Sequence, residues 1–241
     1  MIDIFYKSYS KDFKWLEFSL KSLSKFVSVY NEIHIVIPEK DKYLFDSIKL
    51  PERTIVHLVN EYGNGYLYQQ FCKITAHKHC SAEFILFADS DCIFDKPTDL
   101  NDMIVEGKPE ILYTEYSKVG DAICWKECTD RFMNAPQEYE FMRRLPLIYH
   151  RSTLELISAM PINLEQYIMN SERFSEFNIM GAYAFRHQRE QYNFINTDNW
   201  TYAPPISTQL WSHAKENGSD LERQEYLKAR EVIKNALGET I

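Results

Sequence analysis

The stretch Glu83–Phe94, EFILFADSDCIF, decides how the rest of the chain is read. Phe84-Ile85-Leu86-Phe87-Ala88 is an unbroken apolar run. It is too short for a free-standing helix and suits a strand buried on both faces, as in the middle of a parallel sheet. The run then breaks into Asp89-Ser90-Asp91. The carboxyl ends of such strands are where open α/β sheets place their ligands. Two hard carboxylate oxygens one residue apart can share a divalent cation, in a site that substrate phosphates often complete. A solvated turn with two acidic residues is the plainer reading of the same positions, and pattern alone leaves both open.

Upstream, Met1–Ser8 reads as a first strand and Tyr9-Ser10-Lys11-Asp12 as the turn after it. Phe13, Leu16, Leu20, Leu23 and Val27 recur at helical spacing, which predicts a helix over Phe13–Val29. Glu32–Pro38 is a second buried strand stopped by proline, Lys40–Ile48 a short helix, and Thr54–Val59 a third strand. Strands alternating with helices indicate βαβ units and a parallel sheet. Glu61–Gly65 is a loop without the glycine pattern of a dinucleotide site, and no Gly-Lys-Ser phosphate loop occurs. Tyr66–Cys80 is helical in period and leads into the central strand. Gln69 and Lys73, four apart on it, share a face that is either a polar exterior or part of a site.

Downstream, Lys96-Pro97 opens a short helix and Glu110–Glu115 is a further strand. From Val119 to Met142 the pattern loosens, with Trp125, Phe132, Tyr139 and Phe141 set among charges. Pro146–Arg151 reads as a strand, and Leu154–Pro161 and Leu164–Met169 as helices. Ser175-Glu176-Phe177-Asn178 looks like a helix start, with Ser175 as cap and Glu176 in the first turn. Gln191–Asn196 suits a late strand, and Asp198-Asn199-Trp200 with Pro204-Pro205 a loop. Trp211-Ser212-His213 follows on a short helix, and Asp220–Leu237 is an amphipathic, charged helix.

A chain of 241 residues can build one large α/β domain around a single core. Its 45% apolar and 26% charged content is that of a soluble globular protein; of 16 Tyr, 15 Phe and 4 Trp much must fill core, while Tyr and Trp also supply flat, polar-tipped walls suited to sugars and bases. A net charge of −8 argues against general nucleic-acid binding, which needs a basic footprint. An anionic substrate then requires a local receptor, such as a metal. No signal-peptide pattern and no continuous apolar span is present, so no transmembrane segment is expected. Five irregularly spaced cysteines fit a reducing compartment better than a disulfide framework, and the expected location is cytoplasmic. Cys72, His77, His79 and Cys80, with Cys124 and Cys128, match no usual zinc spacing. No Gly-x-Ser-x-Gly elbow supports a serine nucleophile.

Strand, Asp-x-Asp, then Ile93-Phe94 resembles the metal-binding motif of GT-A-type glycosyltransferases. Gly65-Tyr66, Gln69-Gln70 and Lys73 upstream, and Ser175–Asn178 followed by Gly181 downstream, extend the likeness to a group of small microbial and viral GT-A proteins. It covers about the first 210 residues. The resemblance implies a single GT-A (Rossmann-like) domain with a mostly parallel sheet flanked by helices. Within it, 1–115 would bind the nucleotide-sugar, 116–215 would form the acceptor side, and 216–241 would be a carboxyl-terminal helix. It implies transfer of a sugar from a nucleoside-diphosphate donor, with UDP the expected nucleotide, to a glycan or glycoconjugate acceptor, as in polysaccharide biosynthesis. Asp89 and Asp91 would hold Mn²⁺ or Mg²⁺, with His213 as a third ligand and His187 a weaker candidate. Ser8, Tyr9 and Asp12 would border base and ribose, and Gln69, Gln70, Lys73, Asp89 and Ser90 the rest of the donor. His150 and Arg151 would contact acceptor or diphosphate, although a hydrogen-bonded structural histidine fits the same pattern. Glu176 would act as general base in an inverting enzyme, or orient the acceptor in a retaining one. Two alternatives stay open: a nucleotidyltransferase using the same carboxylates, and a non-catalytic nucleotide-sugar or glycan-binding module.

Overall fold

The computed structural model describes residues 1–143, 145–199, 206–210 and 212–240. Part of the expected loop around Trp200 and Pro204-Pro205, and Trp211, fall outside them. The fold is mixed α/β. Its central sheet joins β1 (Ile2–Lys7), β2 (Ile33–Pro38), β3 (Thr54–Val59) and β4 (Phe84–Phe87) in the order β3-β2-β1-β4, all parallel. β1, β2 and β4 are buried at every position, as their largely apolar sequences suit, with Asp3, Lys7 and His34 as buried polar exceptions, whereas β3 is an edge strand. Between β1 and β2 lies α1 (Phe13–Phe26), which stops at Phe26 rather than running on to Val29. A single helical turn, α2 (Lys42–Phe45), connects β2 to β3, and α3 (Gly65–Ile74) connects β3 to β4.

Consecutive residues of β1 point to opposite faces. Tyr6 bonds through its hydroxyl to Ser19 of α1, 3.0 Å away. Phe5 turns the other way, onto Phe87, which in turn meets Phe177. Phe177 belongs to α7 (Glu176–His187), which packs with α3 on that second face. The chain leaves β1 toward β2 on one side and returns through β4 on the other. The ends of β1 and β4 therefore flank the point where strand order reverses, the usual crevice for ligands in such sheets.

Beyond β4 the strands are short. β5 (Cys92–Ile93) follows the Asp89–Asp91 turn. β6 (Ile104–Val105) and β7 (Lys108–Glu115) form a second sheet, to which β8 (Tyr139–Glu140) adds on one side of β7. The loosened stretch between β7 and β8 holds α4 (Lys126–Met133). β9 (Leu147–His150) adds to the central sheet beside β4, and α5 (Arg151–Ser158) and α6 (Leu164–Met169) follow. β10 (Asn193–Asn196) pairs parallel with β7, and β11 (Thr208–Gln209) antiparallel with β5. The tail forms α8 (Asp220–Leu237), opened by a full capping box between Ser219 and Glu222 and packed on α1. Among the described residues no helix is long and apolar enough to cross a membrane. One apolar cluster runs from Ile2 to Tyr192 through both halves of the chain, and a smaller one sits under α8.

Four local expectations need correction. The helix after β3 ends at Ile74, where the Thr75 hydroxyl donates to the Phe71 carbonyl at 2.6 Å, and a separate turn of 3-10 helix spans Ala76–Lys78. No helix opens at Lys96-Pro97; the turn comes later, at Leu100–Met103, where the Asp99 side chain accepts from the Asn101 N–H. Ser212 and His213 lie in a turn rather than a helix. Ser175 precedes α7 without capping it, because its hydroxyl accepts from Asn178 Nδ2 at 2.8 Å.

Candidate functional site

The apolar run of β4 ends with Asp89 at the crevice. Ser90 reaches across to the end of β1, donating through its hydroxyl to Ser8 Oγ at 3.0 Å, and both serines are buried. The antiparallel pairing of β11 with β5 brings the late segment alongside: Leu210 N–H donates to the Asp91 carbonyl at 2.9 Å, and Ser212 N–H to Asp91 Oδ2 at 3.3 Å. Burial and the neighbouring charges of Asp89 and Asp12 push the Asp91 carboxyl up to about 7, despite the Ser212 N–H. Asp12 is also raised, by burial first and then by Asp89, against the opposing pull of Ser212, Lys7 and His213. Three carboxyl groups from two segments therefore feel one another's charge. Asp91 Oδ1 is buried with no hydrogen-bond partner among the described residues.

On the other side of Asp89 a lysine intrudes. Asn64 caps α3 by accepting from the N–H groups of Tyr66 and Leu67, and the helix then carries Lys73 under the sheet end. Lys73 is 3% exposed; its Nζ lies 2.6 Å from Asp89 Oδ1, 3.1 Å from Glu176 Oε1 and 4.7 Å from the centre of the Phe177 ring. Burial alone would strip its proton, but Asp89 and Glu176 reverse that and hold the ammonium firmly charged. Glu176 is raised by burial, against the pull of Lys73 and with a further push from Asp89. The Gln70 side-chain Oε1 accepts the Glu176 N–H at 3.3 Å, fixing the first turn of α7.

These groups open onto a cleft of ≈ 290 Å³ that takes in Gln69, Gln70, Lys73, Asp89 and Glu176. Tyr66 and Trp125 stack at its edge, with ring centroids 6.4 Å apart. Arg143, paired with Glu140, supplies a second cation. Tyr66 and Gln69 also border an adjoining cavity of ≈ 200 Å³ reached by Tyr9 and by Lys7, whose Nζ is 3.0 Å from Glu61 Oε2.

Of the residues singled out in the sequence, Asp12, Asp89, Asp91, Ser8 and Ser90 gather at the two strand ends. Lys73, Gln70 and Glu176 form the adjoining charged group, and Gln69 and Tyr9 line the cavities. His213 is exposed, and its charge is felt by Asp12. Asp89, Asp91 and His213 do not close into a compact donor set: among the described residues, the group of three donors within 4.8 Å of one another is Asp3, His34 and Cys80.

His150 and Arg151 are not brought to the site. β9 runs antiparallel to β4, with His150 opposite Phe84, so its carboxyl end lies at the far end of the sheet. There His150 Nε2 is 3.0 Å from the Gln191 carbonyl, and Arg151 pairs with Glu155 at 2.6 Å. His187, in the last turn of α7, packs at a tilt against Tyr183, away from Glu176. Sequence reading did not single out Lys7, Trp125 or Arg143. A lysine at the end of the mostly apolar β1 is a usable signal, whereas nothing local distinguishes Arg143.

The site chemistry suits a hard cation: carboxylate oxygens in an acidic cluster, one of them orphaned and buried, next to a cleft with its own fixed cations. No curated protein matches the chain. The model of one protein family, DUF6492, a family of unknown function, matches residues 4–203. That match spans most of the sequence, and the chain belongs to the DUF6492 family.

Proposed function

We propose that the protein is a divalent-metal-dependent glycosyltransferase of GT-A type, using a nucleoside-diphosphate sugar donor, UDP-linked, and a glycan or glycoconjugate acceptor. The observation that carries this reading is the acidic cluster at the strand-order reversal, where Asp91 Oδ1 is buried and unpartnered among the described residues. Mn²⁺ or Mg²⁺ would be held by Asp91 and Asp89 with donor phosphates, and would offset charge on the departing nucleotide.

The protein's own residues have separate tasks in this reading. Tyr9, beyond β1, borders the nucleotide in the smaller cavity, and Asp12 faces it from the acidic cluster. The sugar occupies the ≈ 290 Å³ cleft, at the lower edge of the size usual for small-molecule pockets, against Tyr66 and Trp125. Glu176, whose burial raises its proton affinity, takes the acceptor hydroxyl proton. Lys73 keeps that carboxylate in place and supplies positive charge between it and Asp89.

One contact favours a second reading, a nucleotide-sugar-binding module without metal dependence: Lys73 already neutralises Asp89 at 2.6 Å. Calorimetric titration of UDP with and without Mn²⁺ separates the two. Metal-dependent binding that disappears in Asp91→Ala supports the transferase. Metal-independent binding supports the module, and no binding of UDP or other nucleoside diphosphates removes both.

A further inference from the structure

The opposite, amino-terminal end of the sheet holds a second polar cluster that the proposed transfer does not use. Asp3 of β1, His34 of β2 and Cys80, just before β4, are each no more than 4% exposed. One donor atom from each lies within 4.8 Å of the others. His34 Nε2 has no hydrogen-bond partner among the described residues, although it is buried. Its nearest charged neighbours, Asp3 Oδ2 and Glu32 Oε2, are both 3.6 Å away. That is too long for a hydrogen bond. It is close to the edge of a tetrahedron built on metal–ligand bonds of ~2.1 Å, about 3.4 Å.

The surroundings hold these donors as ligand supports do. His34 Nδ1 lies 3.0 Å from His57 Nε2, and the His57 ring rests against that of His79 at 4.3 Å. A proton on Nδ1, donated to His57, leaves the Nε2 lone pair directed at the cluster. Asp3 accepts from Asn31 Nδ2 (2.8 Å) and from the N–H groups of Glu32 (3.3 Å), Ser81 (2.8 Å) and Ala82 (2.8 Å). The last two belong to the loop that carries Cys80, so the carboxylate and the sulfur are fixed by the same bonds. Imidazole, thiolate and carboxylate form a donor set for zinc, not for Mg²⁺ or Mn²⁺. The buried thiolate and the buried carboxylate neutralise a divalent ion, which lowers the cost of burying it, and the remaining negative charge of Glu32 sits on the partly exposed side.

We propose that Asp3, His34 and Cys80 bind Zn²⁺, with the partly exposed Glu32 as fourth ligand and way in. The ion would tie β1, β2 and the loop before β4 together at the end of the sheet remote from the carboxylates. Cys80 gives up its thiol proton to solvent as the ion binds.

The test is titration of the full-length, EDTA-stripped protein with Zn²⁺ against a chromogenic chelator, and with Co²⁺ followed by absorption. One equivalent of Zn²⁺ is expected, with a cobalt complex showing a thiolate charge-transfer band. The thiolate band should be lost in Cys80→Ser, and Zn²⁺ affinity should fall by more than about 100-fold in His34→Gln, beyond the loss typical of a residue that only supports a ligand. Both should persist in Asp89→Asn/Asp91→Asn, which separates this site from the proposed donor site. A thiolate band unchanged in Cys80→Ser, or binding lost in the Asp89/Asp91 variant, overturns the proposal. Should Cys80→Ser not fold, X-ray absorption of the zinc-loaded wild type decides. A single sulfur neighbour supports the site, and none refutes it.

Discussion

The two ends of one parallel sheet both bury charge, and they stabilise it differently. At the carboxyl end, Lys73 is the shared counter-ion of Asp89 and Glu176, while Asp91 keeps an oxygen without a partner. At the amino end, Asp3 is satisfied by four N–H donors before any cation is considered. Burial still pushes that carboxyl upward, but His34 and these donors outweigh it and hold Asp3 down at about 2. One end is built around charges that need each other or a ligand. The other is built around backbone groups that persist whatever binds.

The largest contrast should come from removing the side chain beside a buried carboxylate at each end. Lys73→Met leaves Asp89 and Glu176 facing each other with Glu176 buried, and should cost about 3–5 kcal/mol of unfolding free energy at neutral pH. Adding Glu176→Gln should restore part of that. His34→Gln, at the other end, should cost about 1 kcal/mol, because Asp3 keeps its donors. Urea unfolding of the three variants measures this. Equal losses for Lys73→Met and His34→Gln would break the distinction between the ends.

Acid and base should separate the ends with opposite sign. The Asp91 carboxyl stands at about 7 in the folded chain, above its unfolded value of about 3.9. The folded state therefore holds the extra proton between those values, and stability is lost as pH rises through that window. His57 is held at about 4 by burial and by His79 and His34, below the usual value near 6.5. There the unfolded state holds the extra proton, and stability is lost as pH falls from about 6.5 to 4. With EDTA present, Asp91→Asn should raise stability by about 2 kcal/mol at pH 7.5 and change little at pH 4. His57→Gln should flatten the acid limb by about 1–2 kcal/mol and change little at pH 7.5. Unfolding midpoints across pH 4–8 test both signs together.

What the sequence disclosed follows the same division. A continuous apolar run ending in charge marked β4 and the Asp89–Asp91 turn, and mostly apolar stretches marked β1 and the proline-stopped β2, because a strand buried on both faces leaves a one-dimensional signature. The direction of β9 did not show: an apolar run of four reads the same parallel or antiparallel, and here that decides which end of the sheet receives His150. The Asp3–His34–Cys80 cluster was hidden for a related reason. Its members lie on separate segments and meet only through strand register, with Phe5 opposite His34 and Val36 opposite His57. Zinc spacings within one segment could not reveal it. Trp125 and Arg143 sit in a stretch of mixed turns with no period to read.

The smallest effect sharpens the comparison most, because it acts on position rather than charge. Gly181 lies in α7, where a Cβ would stand 2.3 Å from Phe141 Cβ and 2.4 Å from its Cγ. Asn178, one turn earlier, holds the same residue by accepting the Phe141 N–H at 2.8 Å. The separation of α7 from the segment after β8 is thus set by the absence of one methyl group. Gly181→Ala gains about 1 kcal/mol of helix propensity and meets overpacking of about 1–3 kcal/mol, for a net loss of about 1. Phe141→Leu should not rescue it, since leucine keeps the Cβ that is in the way. A displaced α7 carries Glu176 with it but touches nothing at the histidine end. UDP-sugar turnover should therefore fall more than stability does, while the loss of stability between pH 6.5 and 4 keeps its shape. A variant that changes the acid limb and spares turnover would show that the two ends are mechanically coupled through the sheet.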